Sequence, residues 1–250
     1  MPKKRKRNVI VWDIESTNLS ANFGYVLCIG WKRLDSPRVY VPALRDFNGV
    51  CKTCHQVNDP INDRRLLEHI YPILAEADAW ITWFGKGFDQ KFVNTRLMHH
   101  GMAPLPPVPH IDGWRTAKSK LKLTSNRLAT VQQFLDLPVS KTSVGGKQWN
   151  LASGGDPKAA DYIIDHCRKD VKVLEQAYEK MLPLIVDSPH MGLIKGKPEG
   201  CPRCGLPTLK TNPSWFYSSA TRSYQRYQCT ACGGWCKGSK AIDRSTIMAI

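Results

Sequence analysis

Short apolar runs alternate with stretches of helical period along most of the chain, a pattern that predicts an α/β protein. NVIVW (8–12), bounded by a block of positive charge and a Ser-Thr-Asn cluster, predicts a buried strand. YVLCIGWKRL (25–34) and RVYVPAL (38–44) predict two more strands around an Asp-Ser-Pro turn, so the fold opens on a β-meander. A polar insertion (45–62) follows, then a helix over 63–77, a strand over 79–84, and a helix over 88–100 that Gly101 and the prolines after it stop. After a Pro-rich loop and HIDGW (110–114), the pattern predicts a helix over 126–137, a polar loop over 141–150 and a long helix from about Pro157 to about Leu184.

Composition changes this picture at the two ends. The 250 residues carry a formal net charge of +15. Residues 3–7 contribute +5, residues 8–194 only +3 and residues 195–250 a further +7, so the positive excess flanks a nearly balanced middle. That distribution suits a polyanion such as nucleic acid, although a merely soluble basic surface has the same arithmetic. No apolar run approaches the roughly 20 residues that span a bilayer, and no signal peptide precedes the first strand, so an intracellular protein without a membrane partner is expected. PKKRKR (2–7) reads either as a nuclear import signal or as a basic arm on phosphates, which leaves the compartment as nucleus or as the cytoplasm or nucleoid of a prokaryotic or virus-infected cell.

The chemistry lies in the carboxylates. Asp13 and Glu15 end the first predicted strand, and residues two apart on a strand face one side. Two carboxylates held together repel unless a cation joins them, and hard oxygen ligands suit Mg²⁺ or Mn²⁺; a pair of solvated turn residues is the bland alternative. WDIES (12–16) resembles the first motif of the DEDD (DnaQ-like) 3′→5′ exonuclease superfamily. ITWFGKGFDQKFV (81–93) resembles the second motif, with Asp89 as its carboxylate in a first helical turn, where the helix dipole favours an anion. HCRKDVKVLEQAY (166–178) resembles the third, with His166 and Asp170 four positions apart on one helical face. The three motifs span most of residues 8–180 in the expected order, closest in style to RNase H-like predicted exonucleases and family B polymerase proofreading domains.

This resemblance implies an RNase H-like mixed sheet flanked by helices, with Asp13, Glu15, Asp89 and Asp170 holding two Mg²⁺ or Mn²⁺ ions. Asp13 and Asp170 would hold one ion, and Asp13 would bridge to a second held by Glu15 and Asp89. The activity it implies is 3′→5′ hydrolysis of single-stranded or frayed DNA, in preference to RNA, to 5′-monophosphates. One departure stands out: His166 occupies the spacing at which such families place a tyrosine, where it either serves as general base, with an ordinary pKa of about 6.5, or only orients water. Phe84 and Phe88 flank the second motif and are candidates for base stacking, with core packing as the alternative for Phe84. Lys120, Lys122, Arg127, Lys141 and Lys147 sit in segments suited to phosphates. Asp161 and Asp165 read as solvated helix acids, and Asp112 as an auxiliary ligand or a strand-end residue.

Nine cysteines include three Cys-x-x-Cys pairs, a metal-ligand spacing rather than a disulfide framework in an intracellular chain. Cys201, Cys204, Cys229 and Cys232 resemble a zinc ribbon, with 24 residues between the knuckles and one structural Zn²⁺ expected. A module of this size has too little core to fold without such a staple. Between the knuckles lie Trp215, Phe216, Tyr217, Arg222, Tyr224, Arg226 and Tyr227, which suit either nucleic acid or protein docking. Cys236 is an alternate ligand beside four better-placed ones. Cys51, Cys54 and His55 spell a haem-attachment pattern, but without an export signal or haem-sized context they read as loop thiols or as part of a second zinc site completed by distant ligands.

The expected organisation is a basic arm (1–7), a nuclease domain (8–187), a linker (188–200), a ribbon (201–236) and a tail (237–250). Two competing functions share it: an endonuclease selective for structure or directed to RNA, and a non-catalytic nucleic-acid recruiter working through the ribbon. A polymerase or another replication or repair protein is a candidate partner.

Overall fold

The computed structural model describes residues 7–34, 36–47, 61–139 and 144–247. Cys51, Cys54, His55, Lys141 and all but Arg7 of the N-terminal basic run lie outside the described residues. The chain divides into two compact units, Met1–Tyr178 and Glu179–Ile250.

The first unit is built on β1 (Val9–Ser16), β2 (Val26–Arg33), β3 (Ala79–Thr82) and β4 (His110–Asp112), in the sheet order β2-β1-β3-β4. β1 and β2 run antiparallel, while β1, β3 and β4 run parallel, so the sheet is mixed. Its helices are α1 (Arg64–Ala75), α2 (Asp89–His99), α3 (Gly113–Lys120), α4 (Leu128–Phe134), α5 (Gly146–Ser153) and α6 (Pro157–Met181).

Alternation along β1 divides the sheet into two faces. Ile10, Trp12 and Ile14 pack into a core with Leu66, Leu67 and Ile70 of α1 and Phe92, Val93 and Leu97 of α2. The opposite face of the β1–β2 pair carries Val11, Asp13 and Glu15, matched in register with Lys32, Gly30 and Cys28. Across it lies α6, whose Ile163 and Cys167 share a core cluster with Cys28. A buried ion pair from Lys32 to Glu175 ties the helix to the outer strand.

Four expectations change. β1 continues through Ser16, because β2 pairs with it as far as a register shift at Glu15/Ser16, so Asp13 and Glu15 stand inside the strand rather than at its end. Residues 38–44 form no strand. They meet β2 only through isolated bridges at Tyr40 and Ala43, since Pro42 has no N–H to give a ladder, and Leu44–Phe47 turn into a 3₁₀ helix. The polar loop over 141–150 contains instead the start of α5, which turns Trp149 and Ala152 towards the core cluster beneath α6. The long helix stops at Met181, three residues early, and passes into a 3₁₀ turn at Leu182–Leu184 around Pro183.

In the second unit, the stretch expected as a linker holds the short helix α7 (Met191–Ile194). Met191 is buried, and its amide donates to the Pro202 carbonyl at 2.8 Å. β7 (Arg222–Cys229) organises the rest, pairing antiparallel with β5 (Leu209–Lys210), β6 (Phe216–Ser218), β8 (Trp235–Lys237) and β9 (Asp243–Arg244). No helix among the described residues is long and apolar enough to cross a membrane.

Candidate active site and cysteine cluster

β1 and α6 converge on two ligand groups that share one residue. Ligand atoms of Asp13, Glu15 and Cys167 lie within 4.8 Å of one another, as do those of Glu15, His166 and Asp170. His166 Nε2 stands 3.7 Å from both Glu15 Oε1 and Asp170 Oδ2. Glu15, His166 and Asp170 are all buried. The residue common to both groups is Glu15. Cys167 escaped the sequence reading; its signal was its position three residues before Asp170, on the same turn of the helix.

Asp89 reaches the strand from α2. Its Oδ1 accepts the Ile14 amide at 3.1 Å, between the two β1 carboxylates in sequence. Burial pushes its carboxyl up to about 7, and the charge of Asp112 adds to this, against the pull of the Ile14 amide.

The turn from β3 to α2 that places Asp89 is held from outside. Phe84 adopts φ +65°, a left-handed conformation uncommon for a bulky residue, and its amide donates to Asp112 Oδ1 at 2.9 Å. The Lys86 amide donates to Asp112 Oδ2 at 3.1 Å, and the Trp114 amide to Asp112 Oδ1 at 3.1 Å as the N-cap bond of α3. Asp112 is thus a clamp on two backbone segments. Gly87 leaves room for the Phe84 ring, which a Cβ there would meet at 2.4 Å and displace. His110, pushed down to about 4 by burial and by the charges of Lys86 and Arg115, sits neutral against Thr82 Oγ1 at 2.7 Å.

Phe88 and Phe84 exchange their expected environments. Phe88 packs on Phe92 and the core, whereas Phe84 is 42% exposed and meets Trp114 edge-on, with ring centroids 4.8 Å apart. Lys118 lies over the Trp114 ring at 4.8 Å. Lys120, Lys122, Arg127 and Lys147 are exposed, while Asp161 and Asp165 pair with Arg45 and Lys169 at the surface.

In the second unit, the sulfurs of Cys201, Cys204, Cys229 and Cys232 lie within 4.8 Å of one another. The separations Cys201–Cys232 (3.8 Å) and Cys204–Cys229 (3.6 Å) are far too long for disulfides. They match the edge of about 3.8 Å in a tetrahedron of thiolates around Zn²⁺ with Zn–S near 2.3 Å. Burial opposes ionisation of Cys229, but the Thr208 hydroxyl, 3.1 Å from its sulfur, and the amides of Cys232 and Ala231 bring it down to about 6. Cys236 lies on β8, outside the four-sulfur cluster.

The model of the RNase_H_2 family, described as RNase_H superfamily, matches residues 10–182, well over half of the chain. The chain belongs to the RNase H superfamily. Among solved structures, the fold resembles that of a family B DNA polymerase from the hyperthermophilic archaeon Pyrobaculum calidifontis, with 18% identity and a TM-score of 0.55. The likeness covers 78% of this chain and 26% of the polymerase, so the chain spans about a quarter of that protein's length. No curated protein matches the chain. Asp13, Glu15, Asp89, His166 and Asp170 all fall within the RNase H superfamily segment, and the four-cysteine cluster lies beyond its end.

Proposed function

We propose that this RNase H superfamily protein is a metal-dependent nuclease of the DEDD type, acting as a 3′→5′ exonuclease on single-stranded or frayed DNA. The observation that carries the reading is the convergence of Asp13 and Glu15 of β1 with His166 and Asp170 of α6, and of Asp89 on the β1 backbone between the first two. Carboxylates concentrated in so buried a place need an opposite charge, and Mg²⁺ or Mn²⁺ fits an oxygen-rich donor set. Asp13, Glu15, Asp89 and Asp170 would hold two such ions.

When bound, two divalent cations stabilise the attacking and leaving oxygens of an in-line phosphoryl displacement. The chain's own groups do the rest. His166 Nε2, 3.7 Å from both Glu15 Oε1 and Asp170 Oδ2, puts an imidazole beside the carboxylates as the candidate proton acceptor. Exposed Phe84 and half-buried Trp114 offer aromatic surface beside the turn that carries Asp89, suited to the terminal bases. The motif resemblance to proofreading domains supports DNA as substrate and 3′→5′ as direction, and the fold likeness is to a DNA polymerase. The second unit folds around one structural Zn²⁺ on Cys201, Cys204, Cys229 and Cys232.

The test is a cleavage panel of end-labelled linear DNA, covalently closed circular DNA and RNA, with and without Mg²⁺ or Mn²⁺. Metal-dependent shortening of linear DNA from its 3′ end, with circles left intact, is expected. Asp13→Asn and Asp170→Asn should each lower the rate by two or more orders of magnitude, as removal of several kcal/mol of charge stabilisation does. Cut circles would favour an endonuclease, and full activity in both variants would remove the assigned site.

A further inference from the structure

The second unit carries a surface built for a different task. Directly paired residues of neighbouring strands share a face of a sheet, as do residues two apart on one strand. Tyr217 pairs with Tyr224, Arg226 with Lys237 and Gln228 with Trp235, so Tyr217, Tyr224, Arg226, Lys237 and Trp235 all stand on one face. Trp215 joins them, its ring 4.9 Å from that of Trp235. Cations and rings interleave: Arg226 lies 4.3 Å over the Trp235 ring, and Lys237 lies 4.6 Å over Tyr217 and 4.1 Å over Tyr224. Tyr217 is 47% and Trp235 38% exposed, and Trp215, Tyr224 and Arg226 are half-buried between them.

Its charge decides the partner. Between Glu199 and Asp243 the chain holds six Lys or Arg and no acidic residue. An acidic protein would answer the cations but has no series of flat rings to set against the aromatics, whereas a face of aromatics and cations complements a polyanion that also presents flat rings. A duplex keeps its base faces stacked inside and offers only phosphates and groove edges, so four aromatic side chains on one face find nothing in it to stack on. Single-stranded nucleic acid offers both groups at once.

We infer that this face of the β6–β7–β8 sheet is a binding platform for single-stranded nucleic acid, with bases stacking on Trp215, Tyr217, Tyr224 and Trp235 and phosphates meeting Arg226 and Lys237. The platform is independent of the nuclease reading, because binding is measured without cleavage.

The experiment is fluorescence anisotropy of the full chain, zinc retained and no Mg²⁺ or Mn²⁺ added, with labelled oligothymidylate and a blunt duplex of equal length. The wild-type protein binds the single strand more tightly. One stacked base is worth roughly 5- to 150-fold in affinity, so the double variant Tyr224→Ala/Trp235→Ala loses at least tenfold for oligothymidylate and little for the duplex. Tyr224→Phe, which keeps the ring, retains the wild-type affinity. The thiolate charge-transfer absorption of the Co²⁺-substituted protein confirms that each variant keeps its four-cysteine fold. Unchanged single-strand affinity in a folded double variant overturns the platform. So does an equal loss for both ligands, which would reduce the face to unspecific phosphate attraction, or a wild-type preference for duplex.

Discussion

Gly30 and Cys167 form the contact on which α6 rests. A Cβ at position 30 would stand 2.8 Å from Cys167 Sγ and 2.7 Å from Val171 Cγ2, and Gly30 is the direct partner of Asp13 across the β1–β2 pair. The absent side chain lets the helix carrying His166 and Asp170 come down on the strand carrying Asp13 and Glu15.

Gly30→Ala should therefore weaken folding and activity together. Forcing one methyl into this contact costs about 1–3 kcal/mol, read by urea denaturation, and lifts His166 and Asp170 away from Glu15. Adding Cys167→Ala should restore part of both losses. A Gly30→Ala protein of full stability and full activity would show that the approach of α6 tolerates more slack than its contacts suggest.

His166 should matter through the proton it takes. His166→Gln keeps a polar side chain of similar reach but removes the titrating ring, and is expected to lower turnover about 10²–10⁴-fold. At saturating metal, where Asp89 protonation no longer limits binding, the acid limb of the pH–rate profile should flatten with it. If the limb survives unchanged, His166 only positions its neighbours, Glu15 and Asp170.

Asp89 couples metal binding to protons. Its folded value of about 7 lies above the ordinary 3.8, so in the metal-free protein its stabilising contribution is complete below about pH 4 and lost as pH rises through 7. A divalent cation needs the ionised form. Mn²⁺ affinity should therefore rise with pH up to about 7 and then level, with proton release visible when calorimetry is repeated in buffers of different ionisation heat. Asp89→Asn should abolish that release.

Asp63 works with the opposite sign. Burial tends to raise its carboxyl, but hydrogen bonds from Arg96 (2.9 and 3.0 Å), the Val26 amide (2.9 Å) and His100 (2.7 Å) outweigh it and hold it below 3.8. The folded value lies under the unfolded one, so this stabilisation is present above about pH 4 and lost as pH falls through the folded value. Asp63→Asn leaves the Arg96 charge buried without its partner and should cost about 3–5 kcal/mol at neutral pH. The gap to wild type in urea unfolding should narrow in acid.

Much of this architecture was legible before the fold. The helical periods of α1, α2 and α6 and the apolar runs of β1 and β3 lie in local sequence, because each element must turn one apolar face or stripe inward. Spacing alone put Asp13 with Glu15, and His166 with Asp170, on common faces. The Cys-x-x-Cys pairs likewise announced the four-sulfur cluster. Pairing and burial across the chain decided the rest. β2 extended β1 past Glu15, Pro42 broke the third meander strand, and α5 formed because Trp149 and Ala152 found a core that no local pattern revealed. Only the tertiary structure brought Cys167 to the carboxylates, placed Glu15 in both groups, turned Asp112 into a clamp and put Phe84 rather than Phe88 in the open. Those outcomes depend on how closely α6 and the β3–α2 turn approach the sheet. That distance is set by side chains far apart in sequence, such as Gly30 and Val171, and no local period encodes it.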